Sequence, residues 1–234
     1  MRNFCKWILP MGIVGLLIPF GKAIDLFVAY LFYNSHSLSH RPFSHHPYAF
    51  MIYRFGQIPV FLLGFIALVL LILSFRKEKW HCFRLPSIFI LLTIMIGSLL
   101  IINVLFKGLW RRPRPVQTEE FGGFAPFHPF YLPLTLKTPE PCRSFPSGHT
   151  AAGFCFFVLV VLGNRLNKRP LKIAGYSLTL TLGGALAFVR LAQGGHYFTD
   201  IVVSVVITWY TVLILDYILY VRFFNGKRID QKTT

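Results

Sequence analysis

Acidic residues are the scarcest class in this chain: 8 Asp and Glu stand among 234 residues, against 24 Lys and Arg. Charged residues of both signs reach only 14%, where a soluble domain carries roughly 25%. That shortfall argues against an ordinary soluble domain. With 55% hydrophobic residues and a mean hydropathy of +0.59, it points to one membrane-embedded unit over 1–234. Cysteine is also sparse. Cys5, Cys82, Cys142 and Cys155 form no close-spaced pair and fall in different surroundings, so no disulfide framework is expected. There is no internal repeat and no low-complexity tract. No RNA- or DNA-binding pattern accompanies the net charge of +16, so no nucleic-acid partner is expected. The cations punctuate apolar segments instead, as topology signals, lipid-headgroup contacts or the lining of an anionic site do.

What is present is hydrocarbon in long runs. A spanning helix needs about 20 mostly apolar residues, and six stretches qualify: about 6–22, 50–75, 87–106, 148–163, 171–190 and 200–221. The expected fold class is therefore all-α, a polytopic bundle of six transmembrane helices. The N-terminal run lacks a small-residue cleavage site before Lys22 and reads as a retained first span. The following 24–33 stretch, IDLFVAYLFY, carries Asp25 near its start and reads as an interfacial helix lying along the membrane. Arg2 and Lys6, the 76–84 cations, the 165–172 cations and Arg222 onwards mark alternate connections, which the positive-inside tendency makes cytoplasmic. The opposite side carries 34–49, a long 107–147 connection and a brief 191–199 link. The long connection is basic too, and it holds eight prolines, so it reads as an ordered loop.

Three strings edge these apolar runs on that opposite side. Lys107-x6-Arg114-Pro115 offers a point charge and a planar fork suited to phosphate oxygens; a basic cluster snorkelling to lipid phosphates would look the same. Pro146-Ser147-Gly148-His149 opens the fourth run, with Ser147 as an N-cap and Gly148 allowing close backbone approach to an anion. An ordinary capped helix with an interfacial His is the structural alternative. Arg190-x5-His196-x3-Asp200 places an imidazole and a carboxylate at i, i+4, on one face if helix extends back to His196. A carboxylate on one ring nitrogen leaves the other free to attack; Asp200 as a plain helix cap is the alternative.

In this order the three strings resemble the signature of the type 2 phosphatidic acid phosphatase superfamily. KGLWRRPRP, PSGH and RLAQGGHYFTD carry the resemblance directly, and the six-span layout extends it over most of the chain. One departure is visible: Val189 precedes Arg190 where the family pattern commonly has Ser. The resemblance implies a metal-independent lipid phosphatase without cofactor. In it His196 is the nucleophile that forms a phosphohistidine, Asp200 orients it, and His149 is the general acid. Lys107, Arg114, Arg190, Ser147 and Gly148 would hold the phosphoryl group. The stretches after the first span and after Arg114 are similar to bacterial lipid A phosphatases. The expected substrate is then lipid A, handled at the periplasmic face of a bacterial inner membrane. Undecaprenyl pyrophosphate, phosphatidylglycerophosphate and a phosphotransfer acceptor are the alternatives within this chemistry, and a lipid-phosphate binder or transporter without turnover is the alternative outside it.

Other features stay open at this level. Phe121-Gly122-Gly123-Phe124 and Phe127 form either an apolar rim for acyl chains or the packing of the loop on the bundle. Arg111 and Arg112 hold either a second phosphate or the headgroup region. His36, His40, His45 and His46 read as an interfacial loop, since no carboxylate or Cys accompanies them as metal ligands do. Asp216 lies about 24 Å along a helix from Asp200, near the cytoplasmic interface.

Overall fold

The computed structural model describes residues 2–34, 43, 44, 46–134 and 138–222. His36, His40 and His45, and the 225–234 tail, lie outside the described residues. A bilayer core offers no water to backbone N–H and C=O groups, so each apolar run closes its own hydrogen bonds as helix. Six helices result that are long and apolar enough to cross a membrane: Cys5–Tyr30, Pro47–Arg76, Glu78–Leu109, Gly148–Arg165, Arg169–Ala192 and Phe198–Arg222. They are called here the first to sixth spans. Among the described residues the only β feature is one bridge between Thr118 and Ala125. The protein is an all-α, multi-pass membrane protein.

The first span corrects one expectation. A single helix runs Arg2–Tyr30, so 24–33 is not a separate interfacial element. Asp25 does not force the chain out to the surface because its charge is matched inside the protein. Arg112 pairs with it at 2.7 Å and the Thr199 backbone N–H donates to it at 2.8 Å. The fourth span forms the middle of the bundle: 67% of its most apolar window is buried, against 17% for each of the first two spans. It packs on the third, fifth and sixth spans, and the sixth also meets the first. Between the fourth and fifth spans Gly153 faces Gly183 so closely that a Cβ on Gly153 would sit 2.6 Å from the Gly183 Cα. Small residues give membrane helices this close approach.

The connection between the third and fourth spans folds over one end of the bundle. The Trp110 indole donates to the Phe130 carbonyl at 2.6 Å, and Leu134 N–H returns to the Trp110 carbonyl at 2.9 Å. Phe130 and Phe145 are buried with Leu17 of the first span. Phe121 is buried beside Ala29 and Tyr197, and Phe127 packs partly under the same cluster. These two rings therefore hold the loop on the bundle, and of the expected apolar rim Phe124 is the ring that faces outward. At the other end of the bundle Arg165 grips Asp216 through two 2.8 Å contacts.

Candidate active site

Lys107 near the end of the third span, Gly148 and His149 at the start of the fourth, Arg190 near the end of the fifth and Asp200 at the start of the sixth share one end of the bundle. Helix alternation alone requires this. His196 stands in the turn between the last two spans, 2% exposed. The helix does not extend back to it: the sixth span starts at Phe198, with Tyr197 as its N-cap. Asp200 serves the cap and the imidazole together. Its Oδ2 accepts the Tyr197 N–H at 2.9 Å and the Ser144 hydroxyl at 2.5 Å, and lies 3.7 Å from His196 Nδ1.

At that distance His196 Nδ1 has no hydrogen-bond partner among the described residues, and a movement of about 0.9 Å would bring it into normal range. Burial pushes the His196 imidazole down to about 3. Asp200 opposes the shift, and Arg190 and Lys107 add to it. The ring is therefore neutral at physiological pH. A neutral ring with its Nδ1 proton directed at Asp200 presents the Nε2 lone pair.

Behind Asp200 lies a second layer that the sequence reading did not resolve. Arg112 is fully buried and neither faces a second phosphate nor reaches the headgroup region, which corrects both expectations for it. Its guanidinium donates to Asp200 Oδ1 at 2.5 Å, to Asp25 Oδ2 at 2.7 Å, to Thr199 Oγ1 at 2.9 Å and to the His128 carbonyl at 2.8 Å. It also stacks over the Tyr197 ring, 4.4 Å from its centroid. Burial works against this charge, but Asp200 and Asp25 outweigh it and hold the guanidinium protonated. Arg112, itself anchored by the buried Asp25, thus fixes the orientation of Asp200. The available signal was Asp25 itself, an ionisable residue inside an apolar run, which needs a partner.

The cations gather in front of His196 and His149. The charges acting on His149 are those of Arg190, Lys107 and Arg114. Arg190 is 7% exposed and is steered by Gln193 Oε1 at 3.0 Å. Gly195 makes room for it, since a Cβ there would lie 2.0 Å from its guanidinium. The buried Nε atoms of Arg114 and Arg190 have no hydrogen-bond partner among the described residues, a cost that an anionic ligand would remove. A Cβ on Gly148 would lie 3.2 Å from Lys107 Nζ and 2.9 Å from the Asn103 side-chain oxygen, so the backbone here is approached closely. Ser147 does cap the fourth span. Its Oγ accepts from the Thr150 hydroxyl at 2.9 Å and from the Thr150 N–H at 3.4 Å, leaving its own hydrogen to donate.

Tyr53 of the second span is a neighbour that no motif announced. Its ring stacks on His149 with centroids 4.7 Å apart and lies under the Arg190 guanidinium at 4.8 Å. Val189, buried beside Arg190, offers no hydroxyl.

Chemically, the arrangement sets three cations and a hydroxyl beside an uncharged imidazole, which suits a tetrahedral dianion. The protein is 30% identical to the lipid A 4'-phosphatase of Francisella tularensis subsp. novicida (strain U112) over 163 residues, which cover 69% of this chain and 71% of that one. It is 34% identical to the lipid A 4'-phosphatase of Rhizobium leguminosarum over 113 residues, 48% of this chain and 46% of the relative. The lipid A 4'-phosphatase of Rhizobium etli (strain ATCC 51251 / DSM 11541 / JCM 21823 / NBRC 15573 / CFN 42) is 35% identical over 109 residues, 46% of this chain and 40% of that one. No solved structure matches the chain. The PAP2 superfamily pattern matches residues 87–224, from the third span through the sixth and including all three motif strings. On that match the chain belongs to the PAP2 superfamily.

Proposed function

We propose that the protein removes a phosphate from lipid A, as a phosphoric monoester hydrolase working from the membrane through a phosphohistidine. The observation that carries this reading is the buried, neutral His196 held between Asp200 and the cations. His196 Nε2 attacks phosphorus as the bond from phosphorus to the ester oxygen breaks, and His149 gives that oxygen its proton. Water, deprotonated by His149, then attacks the phosphohistidine and frees inorganic phosphate and His196. Charge in such a transfer is spread over the equatorial oxygens, so fixed donors in place beforehand do most of the work. Lys107, Arg114 and Arg190 supply positive charge to those oxygens, and the Ser147 hydroxyl and Gly148 N–H add hydrogen bonds. The dianion in turn favours the protonated form of His149. Because three cations meet the phosphoryl charge, the reaction is expected to proceed without a metal ion.

The relatives named lipid A 4'-phosphatase support the substrate. The basic connections at the opposite end of the bundle support a site on the periplasmic face of the inner membrane. A lipid-phosphate binder would need the cations but would have no use for a nucleophile backed by Asp200. The test is phosphate release from lipid A in EDTA-treated membranes. His196→Ala is expected to abolish it and Arg76→Ala to leave it intact. Release by the His196 variant would overturn the mechanism.

A further inference from the structure

Adjoining the phosphoryl pocket lies an open cavity of about 290 Å³, bounded by Lys107, Arg111, Arg143 and the 138–142 turn. At roughly 30 Å³ per water this is room for about ten waters, or for a tetrahedral anion with part of its hydration shell. Its construction follows from backbone geometry. The Ser144 N–H donates to the Arg112 carbonyl at 2.9 Å, tying the two ends of the long connection together. On each of these segments neighbouring residues face opposite ways. Arg112 and Ser144 turn inward and both hold Asp200, while Arg111 and Arg143 turn outward and line the cavity. Arg111 takes a left-handed backbone with φ of +50°. A non-glycine residue seldom adopts it, and such strain concentrates where function requires it.

None of Lys107, Arg111 and Arg143 has an ion pair among the described residues. Glu140 also lines it, so the lining carries three cations and one carboxylate. Lys107 belongs to both sites: it lies against Gly148 in the phosphoryl pocket and forms a wall of this cavity. Arg143 contributes to the field at Lys107 alongside Arg114 and Arg190, so the two basic sites adjoin. Cations gathered around a pocket of this size repel one another unless an anion enters.

We propose that this cavity is a second oxyanion subsite, which holds a further phosphate of the lipid whose first phosphate is being removed. The proposal rests on the lipid A reading above, and it makes Arg111 and Arg143 residues of substrate selection. Lys107 lies between the two sites and adds positive charge to both.

Binding and turnover separate this proposal from the function it builds on. Full-length protein in nanodiscs, carrying His196→Ala so that nothing is consumed, is titrated with glucosamine-disaccharide lipids bearing one or two phosphates. The doubly phosphorylated lipid is expected to bind about tenfold more tightly, the usual scale for a charge-assisted contact. Adding Arg111→Gln and Arg143→Gln is expected to remove that difference. Equal affinity for the two lipids, or a preference that survives both Gln substitutions, would overturn the subsite. Inorganic phosphate, at a level that leaves the singly phosphorylated lipid bound, is expected not to erase the preference. Erasure would assign the cavity to the free ion and overturn the substrate-borne reading. If the wild-type protein releases no phosphate while the preference holds, the hydrolase reading fails and the subsite stands.

Discussion

At the residue scale the decisive group is Arg112, because it holds together two carboxylates that would otherwise repel each other out of reach of water. Removing one member of a buried ion pair costs about 3–5 kcal/mol, since a charge is left uncompensated. Arg112→Gln is therefore expected to lower the thermal midpoint in detergent steeply. Adding Asp25→Asn should recover part of the loss by deleting one of the two stranded charges. Simple additivity of the two changes would show that they do not communicate. His196 carries a second prediction. Its imidazole stays neutral down to about 3 in the fold through burial, whereas an unfolded chain's imidazole takes its proton near 6.5. Between those values the unfolded state binds a proton that the native state does not, so stability falls as pH drops from 6.5 towards 3. The thermal midpoint should follow that fall, and His196→Gln should flatten part of it. The motif side chains were legible in the sequence because each lies at the edge of an apolar run. Arg112 was not, because six cations crowd that loop and nothing local tells the one pointing inward from those pointing out.

At the scale of elements, span number and order were readable from hydrocarbon length, since the bilayer sets one length for all. Extents were less readable. The first span continues past Lys22 and Asp25 because a partner far along the chain satisfies Asp25, and a single run of sequence cannot display that. The i, i+4 relation of His196 and Asp200 was legible, but its geometry was not helical. Asp200 caps the sixth span, and His196 leans on it from the preceding turn. The contact of the fourth span with the fifth depends on paired glycines. Gly153→Val adds branched bulk where a Cβ alone would stand 2.6 Å from Gly183, and overpacking of this kind costs about 1–3 kcal/mol. The expected result is a lower melting temperature and a smaller monodisperse fraction on gel filtration. An unchanged melting temperature would mean that the spans separate at little cost.

At the scale of the molecule, all site groups lie at one end and the Arg165–Asp216 pair lies at the other. The proposed orientation has a direct readout. Glu140→Cys should react with a membrane-impermeant maleimide in intact spheroplasts, while native Cys82 should react only after permeabilisation. The reverse pattern would turn the protein over. A further consequence comes from the Asp25–Arg112–Asp200 bridge, whose members enter from the first span, the long connection and the last span. A nascent polypeptide is therefore expected to stay inert until the sixth span has emerged and docked against the first. Chains released before the sixth span should accumulate as inactive, protease-sensitive fragments.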